Sequence, residues 1–222
     1  MSHPFTTMSE FSEILKTSSK MDSSAYDLAV ARNAQLTKPA GALGRLEDLA
    51  LWYAGWRGQE CPSLERPQVV IFAGNHGVTA QGISLFPSEV TAQMVLNFEV
   101  GGAAINQLAE CFGAKLDVCD LDLDRPTQDF TEASAMSEEE CVQALGVGWK
   151  SVEENADLLV TGEMGIGNTT AAAAIALALF GGTGADWTGR GTGLDSEGVA
   201  LKAKVVESGL IRHQNAKGDG LV

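Results

Sequence analysis

The chain has 222 residues, 45% of them hydrophobic and 20% charged, enough for one large α/β domain or one domain with a small appendage around a real core. Its 15 lysines and arginines against 29 aspartates and glutamates leave a formal charge of −14. Such a surface repels phosphate backbones, so nucleic-acid binding is not expected, and it says nothing about fold.

The opening residues MSHPFTTMSEFSEIL hold no basic stretch followed by an apolar core, so no signal peptide is expected. No apolar run approaches the length of a membrane crossing; Ala171 to Phe180 is about half of what one needs. A cytoplasmic protein without membrane attachment is the expectation. The four cysteines, Cys61, Cys111, Cys119 and Cys141, form no Cys-x-x-Cys pair and have no histidine at ligand spacing, and buried reduced thiols are expected.

In chain order, residues 9–57 read as helical throughout. Asp22 or Ser23 caps a helix carrying Tyr26, Leu28, Ala29 and Leu36; Pro39, Gly41 and Gly44 mark a turn. An amphipathic run Leu46-Leu49-Ala50-Tyr53 follows to Trp56, and residues 61–67, with two prolines, form a linker. The division expected is a small helical subdomain over 1–60 and an α/β domain over 61–222.

From Pro67 strands and helices alternate. Val69 to Ala73 is a continuous apolar run, as in a strand buried on both faces. Pro87, at a first helical position, leads VTAQMVLNF; Gly101-Gly102 breaks that helix and another spans Ala103 to Phe112. KLDVCDL at 115–121 is the next strand. Ser137 and Glu140 make a capping box for a helix reaching about Ala156. DLLVT at 157–161 is the third strand, and a helix from Asp195 or Ser196 runs to about His213. This alternation predicts an α/β fold, a parallel sheet flanked by helices, with ligands at the carboxyl ends of its strands.

Three glycine-rich stretches fall at such ends. Gly74-Asn75-His76-Gly77 follows the first strand, where a glycine-flanked Asn-His pair either meets a ligand or caps a turn. Ser84, Phe86, Gln93 and Met94 downstream combine an aromatic face with hydrogen-bonding groups, a mix suited to a flat heterocycle or to plain core packing. Gly162-Glu163-Met164-Gly165-Ile166-Gly167-Asn168-Thr169-Thr170 follows the third strand and opens an alanine-rich helix. Its glycines free the backbone to approach an anion at a helix N-terminus. Asn168 stands where a triphosphate-binding loop needs lysine, so a single phosphate monoester fits better than ATP and a kinase-like NTPase is disfavoured. The third stretch is Thr188 to Leu194, in which Arg190 either pairs with phosphate or faces solvent. Lys202, in the next helix, either reaches a phosphate or carboxylate, pairs with Glu163, or is an exposed charge.

Four strings, KPAGALGRLEDLA (38–50), FAGNHGVTAQGISLFPSEVTAQMVLNFEVGGAAINQLA (72–109), GEMGIGNTTAAAAI (162–175) and GRGTGLD (189–195), resemble in order those of the nicotinate-nucleotide–dimethylbenzimidazole phosphoribosyltransferases, which build the lower-ligand nucleotide of cobalamin. The resemblance runs from about residue 22 onward. It implies a Rossmann-like sheet with a small helical domain, a homodimer, and no metal or redox cofactor. It implies transfer of phosphoribose from nicotinate mononucleotide to a nitrogen of 5,6-dimethylbenzimidazole, releasing nicotinate and forming α-ribazole 5′-phosphate. By resemblance Ser84, Phe86, Gln93 and Met94 lie in the segment lining the benzimidazole pocket. Glu163, Gly165, Gly167, Asn168, Thr169 and Thr170, with Gly191, Thr192 and Gly193, match the loops that hold the nucleotide. Nicotinate mononucleotide has one phosphate, in keeping with the missing lysine, and Glu163 is the candidate for stabilising positive charge near the ribose or orienting a ring.

The sequence departs from the family in one respect. The family's general base is a glutamate in a Gly-Glu-Gly-Thr-Gly segment that is not found here. A chain lacking the family's C-terminal part is the expectation, and the alternative function is ligand binding without turnover.

Overall fold

Three parallel strands form the sheet: β1 (Pro67–Ala73) lies between β2 (Lys115–Asp120) and β3 (Leu158–Met164). The computed structural model describes residues 4–216 and 218. The α/β architecture, a parallel sheet flanked by helices, expected from strand–helix alternation, is what the chain adopts, and it agrees with the Rossmann-like sheet that the resemblance implies. β1 is buried along nearly its whole length, as a central strand covered on both faces must be. Its Val69 and Ile71 pack with Phe98 and Ala109 from α4 (Glu89–Glu99) and α5 (Ala104–Cys111). On the other face, buried Gln68 donates to Asp117 and to the Ser151 carbonyl, both at 2.8 Å, at the end of α6 (Glu138–Ser151).

The ladder is fastened at its entrance by Asp157. Its carboxylate accepts from the amides of Glu65 at 2.6 Å and Arg66 at 2.8 Å, tying the starts of β1 and β3 together. Burial opposes ionisation of Asp157, but those two amides outweigh it and hold its pKa below the usual carboxylate value.

Beyond β3, α7 (Asn168–Phe180) and α9 (Ser196–Arg212) pack together through Ala173, Leu177 and Val206, and the short α8 (Gly184–Trp187) lies against both. Ile175, Leu179 and Phe180 of α7 remain exposed. The N-terminal residues form α1 (Met8–Lys16), α2 (Ser23–Gln35) and α3 (Arg45–Arg57). Asp22 caps α2 through Ala25 N–H at 3.0 Å. The turn before α3 is organised by Glu47, which accepts from Asn33 at 2.9 Å and Leu43 N–H at 3.0 Å and pairs with Lys38 at 2.9 Å. Those three partners push its pKa down to about 2. Among the described residues no helix is long and apolar enough to cross a membrane.

Several local expectations need correction. Residues 9–57 are not one helical stretch: the chain leaves helix between α1 and α2 and again around Pro39. On α3 the buried residues are Ala54 and Gly55, whereas Leu46 and Leu49 of the expected apolar stripe face solvent. Pro87 precedes the α4 cap, Ser88, and closes a turn with Val90 rather than opening the helix. α6 stops at Ser151, because Gln68 Oε1 captures the Glu153 amide at 3.0 Å and draws the chain off the helix axis. β3 runs through Gly162, Glu163 and Met164, which pair with Ile71, Phe72 and Ala73. The glycine suggests a turn, but it lets the strand lie close to Ile71. The cysteines are free, but Cys61 and Cys111 are exposed and only Cys119 and Cys141 are partly buried.

Candidate functional site

The register of β1 and β3 sets two chain exits side by side. Ala73 pairs with Met164, and the Gly74 amide extends the ladder by donating to the Met164 carbonyl at 3.0 Å. His76 follows β1 and Glu163 is the penultimate residue of β3, and His76 Nε2 stands 3.6 Å from Glu163 Oε1. The two glycines that follow make this approach feasible. A Cβ on Gly165 would overlap the Gly74 carbonyl oxygen and sit 3.2 Å from His76 Cδ2. Gly167 has φ +94°, and a Cβ there would lie 2.9 Å from Thr79 Cγ2 and 3.2 Å from His76 Cβ. These glycines fit one exit loop against the other, a tighter constraint than the open anion approach expected of them.

The first turn of α7 is internally occupied. The Asn168 and Thr170 amides donate to the carbonyls of Gly165 and Gly167, and the Thr169 amide donates to Asn168 Oδ1 at 2.7 Å. Anion recognition must therefore rest largely on other groups, with the helix dipole behind them. Lys202, from α9, supplies one. It is 2% exposed, and its Nζ donates to Thr169 Oγ1 at 2.6 Å. It makes no ion pair among the described residues, and burial holds its pKa below 10.5. Thr170 Oγ1 is fully buried with no hydrogen-bond partner among the described residues. The amides of Gly191 and Thr192 likewise meet no acceptor among the described residues.

These groups border one cleft of about 200 Å³, lined by Ile83, Ser84, Gly167, Asn168, Thr169, Thr170, Gly191, Thr192 and Lys202. Ser84 and Thr192 link its two lips, their hydroxyls 3.3 Å apart, and the Leu85 amide donates to Thr192 Oγ1 at 3.2 Å. Gly193, with φ +100°, turns the chain into α9, where Asp195 caps the first turn.

The remaining predicted residues lie off this cleft. Asn75 is turned away: its side chain donates to the Leu123 carbonyl at 3.0 Å and its Oδ1 is buried without a partner among the described residues. Phe86 and Gln93 are exposed, and Met94 packs against the Val69–Ile71 core beside the sheet. Arg190 is exposed and is not among the residues lining the cleft. Lys202 does not pair with Glu163. That carboxylate instead meets His76 through Oε1 and Asn168 Nδ2 through Oε2.

Two participants escape sequence reasoning. Ile83 forms a wall of the cleft. Thr91, fully buried on α4, accepts from the Ile166 amide at 3.2 Å and anchors the loop between β3 and α7. A threonine inside an amphipathic helix carries no signal of that contact; only the packing shows it.

Similarity to known proteins accords with this geometry. Over 221 residues the chain is 61% identical to the nicotinate-nucleotide–dimethylbenzimidazole phosphoribosyltransferase of Roseobacter denitrificans, covering 100% of this chain and 65% of that protein. It is 62% identical over 213 residues to the enzyme of the same name from Ruegeria pomeroyi, covering 96% and 63%. The crystal structure of CobT from Thermus thermophilus superposes with a TM-score of 0.76 at 41% identity, covering 85% of this chain and 62% of that one. The chain thus spans about 65% of the length of the curated relatives it matches. A family model described as phosphoribosyltransferase (DBI_PRT) matches residues 18–222, which bears out the resemblance carried by the four motifs, and the chain belongs to that phosphoribosyltransferase family.

Proposed function

We propose that this chain holds the phosphoribosyl donor in an enzyme that moves phosphoribose from nicotinate mononucleotide to a nitrogen of 5,6-dimethylbenzimidazole. The single observation that carries this is Lys202, a buried ammonium at the N-terminus of α7 with no carboxylate partner among the described residues. An unneutralised buried cation is costly, and a phosphate monoester would offset that cost. The adjoining Thr170 hydroxyl and the Gly191 and Thr192 amides supply further donors. A cleft of about 200 Å³ suits a phosphate with part of a sugar rather than a triphosphate.

The chemistry requires little from the protein beyond placement and charge. The bond from ribose C1′ to the pyridinium nitrogen breaks with its electron pair going to nitrogen, so nicotinate leaves with a neutral ring nitrogen. A benzimidazole nitrogen forms the new bond to C1′, and the proton on the ring's other nitrogen passes to a base. Positive charge on the sugar is greatest midway, and the Glu163 carboxylate beside the cleft stabilises it. Ser84, Phe86, Gln93 and Met94 belong to the segment assigned to the benzimidazole; the exposed Phe86 offers its ring face.

The same proposal takes residues 1–60 as a small helical subdomain, since α2 packs on α3, and 61–222 as the binding domain. It takes the active species as a homodimer, supported by exposed Leu96, Val100, Leu108 and Phe112 on and beside α4 and α5. Four free cysteines suit a reducing, cytoplasmic setting. Ligand binding without turnover is the second reading, since the donors gathered at the cleft, Lys202 and the Thr170 hydroxyl, serve binding whether or not turnover follows.

The test is to incubate the protein with both substrates and follow nicotinate by chromatography, beside a binding titration of each. Turnover that falls in Glu163→Gln supports the transferase; binding without turnover supports the second reading. If neither ligand binds, both are wrong.

A further inference from the structure

The geometry points to His76 as a positioning residue that, with Asn168, clamps the carboxylate of Glu163 from both sides. The proposal rests on the role given above to Glu163, and reassigns His76 and Asn168 from substrate contacts to its support. Glu163 lies near the end of the β1–β3 ladder with its side chain 46% exposed, so nothing in the strand alone sets its rotamer. Oε1 faces His76 Nε2 at 3.6 Å, and Oε2 accepts from Asn168 Nδ2. Both partners are themselves held. The His76 carbonyl accepts from the Thr79 amide at 3.2 Å and the Thr79 hydroxyl at 2.9 Å, and the residue bridges to Thr127. The loop backbone passes close to it, Gly165 beside ring Cδ2 and Gly167 beside Cβ. Asn168 is fixed by the Thr169 amide on its Oδ1.

The clamp is also tied to the cleft. Thr169, which orients Asn168, accepts from Lys202 through its hydroxyl, so one continuous polar chain runs from His76 through Glu163, Asn168 and Thr169 to Lys202. A donor phosphate seated on Lys202 and a carboxylate aimed at the sugar are thereby kept at a fixed separation. Misplacing a reacting or charge-stabilising group by about 1 Å costs on the order of 100-fold in rate.

The experiment compares His76→Ala, His76→Gln, Glu163→Gln and the double variant His76→Ala/Glu163→Gln in the full chain. The expected result for His76→Ala is a drop of about 100-fold in kcat with little change in KM for nicotinate mononucleotide. His76→Gln, whose amide nitrogen can take the place of Nε2, recovers most of the rate. The double variant is no slower than Glu163→Gln alone, because His76 acts through that carboxylate. Equal losses in His76→Ala and His76→Gln, or losses that multiply in the double variant, overturn the proposal. An activity-independent readout accompanies these: the His76 ring nitrogen resonances shift in Glu163→Gln, while those of His213 stay in place. An unmoved His76 signal refutes the contact. A shifted signal in a chain that neither binds nor turns over substrate upholds the clamp and refutes the transferase function instead.

Discussion

Lys202 and Thr169 are joined by a 2.6 Å hydrogen bond that crosses from the middle of α9 to the first turn of α7. The ammonium retains two further protons and has no counter-ion among the described residues. Lys202→Met, of similar length and apolar, should fold at least as stably as the parent, because it removes a buried charge without opening a cavity. It should bind nicotinate mononucleotide at least about tenfold more weakly, since a charge-assisted hydrogen bond contributes about 1.5–3 kcal/mol. Thermal unfolding with and without ligand checks both. The parent gains about 2.7 kcal/mol at one hundred times Kd, and the variant shows a smaller gain at the same concentration. A variant that melts lower and binds equally well would disprove the assignment.

The same lysine gives binding a pH dependence with a defined sign. Burial disfavours its charged form, so its folded pKa lies below 10.5. Between that value and 10.5 the unfolded chain binds more protons than the folded one, and this group's contribution to stability rises with pH. A bound phosphate favours the charged form and draws the pKa back up. Affinity is therefore complete below the folded pKa and falls as pH rises through it. Calorimetric titrations from neutral to alkaline pH should show that decline in the parent and none in Lys202→Met. A parent whose affinity stays flat to 10.5 would contradict it.

The loop glycines separate two kinds of position. Gly165→Ala should destabilise by about 1–3 kcal/mol, because its Cβ meets the Gly74 carbonyl, backbone that cannot swing aside. Gly148→Ala, in the interior of α6 with nothing within 4 Å of the added methyl, should stabilise by about 0.5–1 kcal/mol. Denaturant midpoints of the two variants suffice, and the prediction fails if their order is reversed.

Thiol reactivity should divide by exposure. Cys61 and Cys111 are exposed, whereas burial pushes the Cys119 and Cys141 thiols up from their usual value. A colorimetric thiol reagent under native conditions should consume Cys61 quickly and Cys119 and Cys141 slowly, with Cys111 fast in the monomer and sheltered where the proposed dimer covers α5, and with all four reacting at the fast rate in denaturant. Four equal native rates would show that the helices and strand do not shelter Cys119 and Cys141.

How much of this is legible in the sequence follows from the range of each interaction. The apolar run at 69–73 and the box formed by Ser137 and Glu140 depend on neighbours a few residues away, and both stand in the structure. The motif at 162–170 marks the right end of the sheet. It does not show that Gly165 and Gly167 serve His76, since that contact joins two strands far apart in the chain. The end of α6 is misread from sequence because Gln68, from β1, takes the Glu153 amide. Lys202 stands out as a candidate, but its burial is a property of α7 and α9 together, and no periodicity encodes it. The cysteines mislead for the same reason: helical context says nothing about which side of a helix meets solvent.

The fastening of the sheet by Asp157 has a consequence for how the molecule is made. Its carboxylate binds the Arg66 amide across 91 residues of chain. β1 is the middle strand, so one of its edges stays open until β3 has been synthesised and brought back to it. Pairing at such separation is entropically slow. A nascent chain that has emerged only through α6 carries β1 and β2 with one unsheltered edge, a species prone to mispairing with its neighbours. Closure of β3, with Asp157 gripping both entrances, ends that vulnerable interval and in the same movement brings Glu163 to His76.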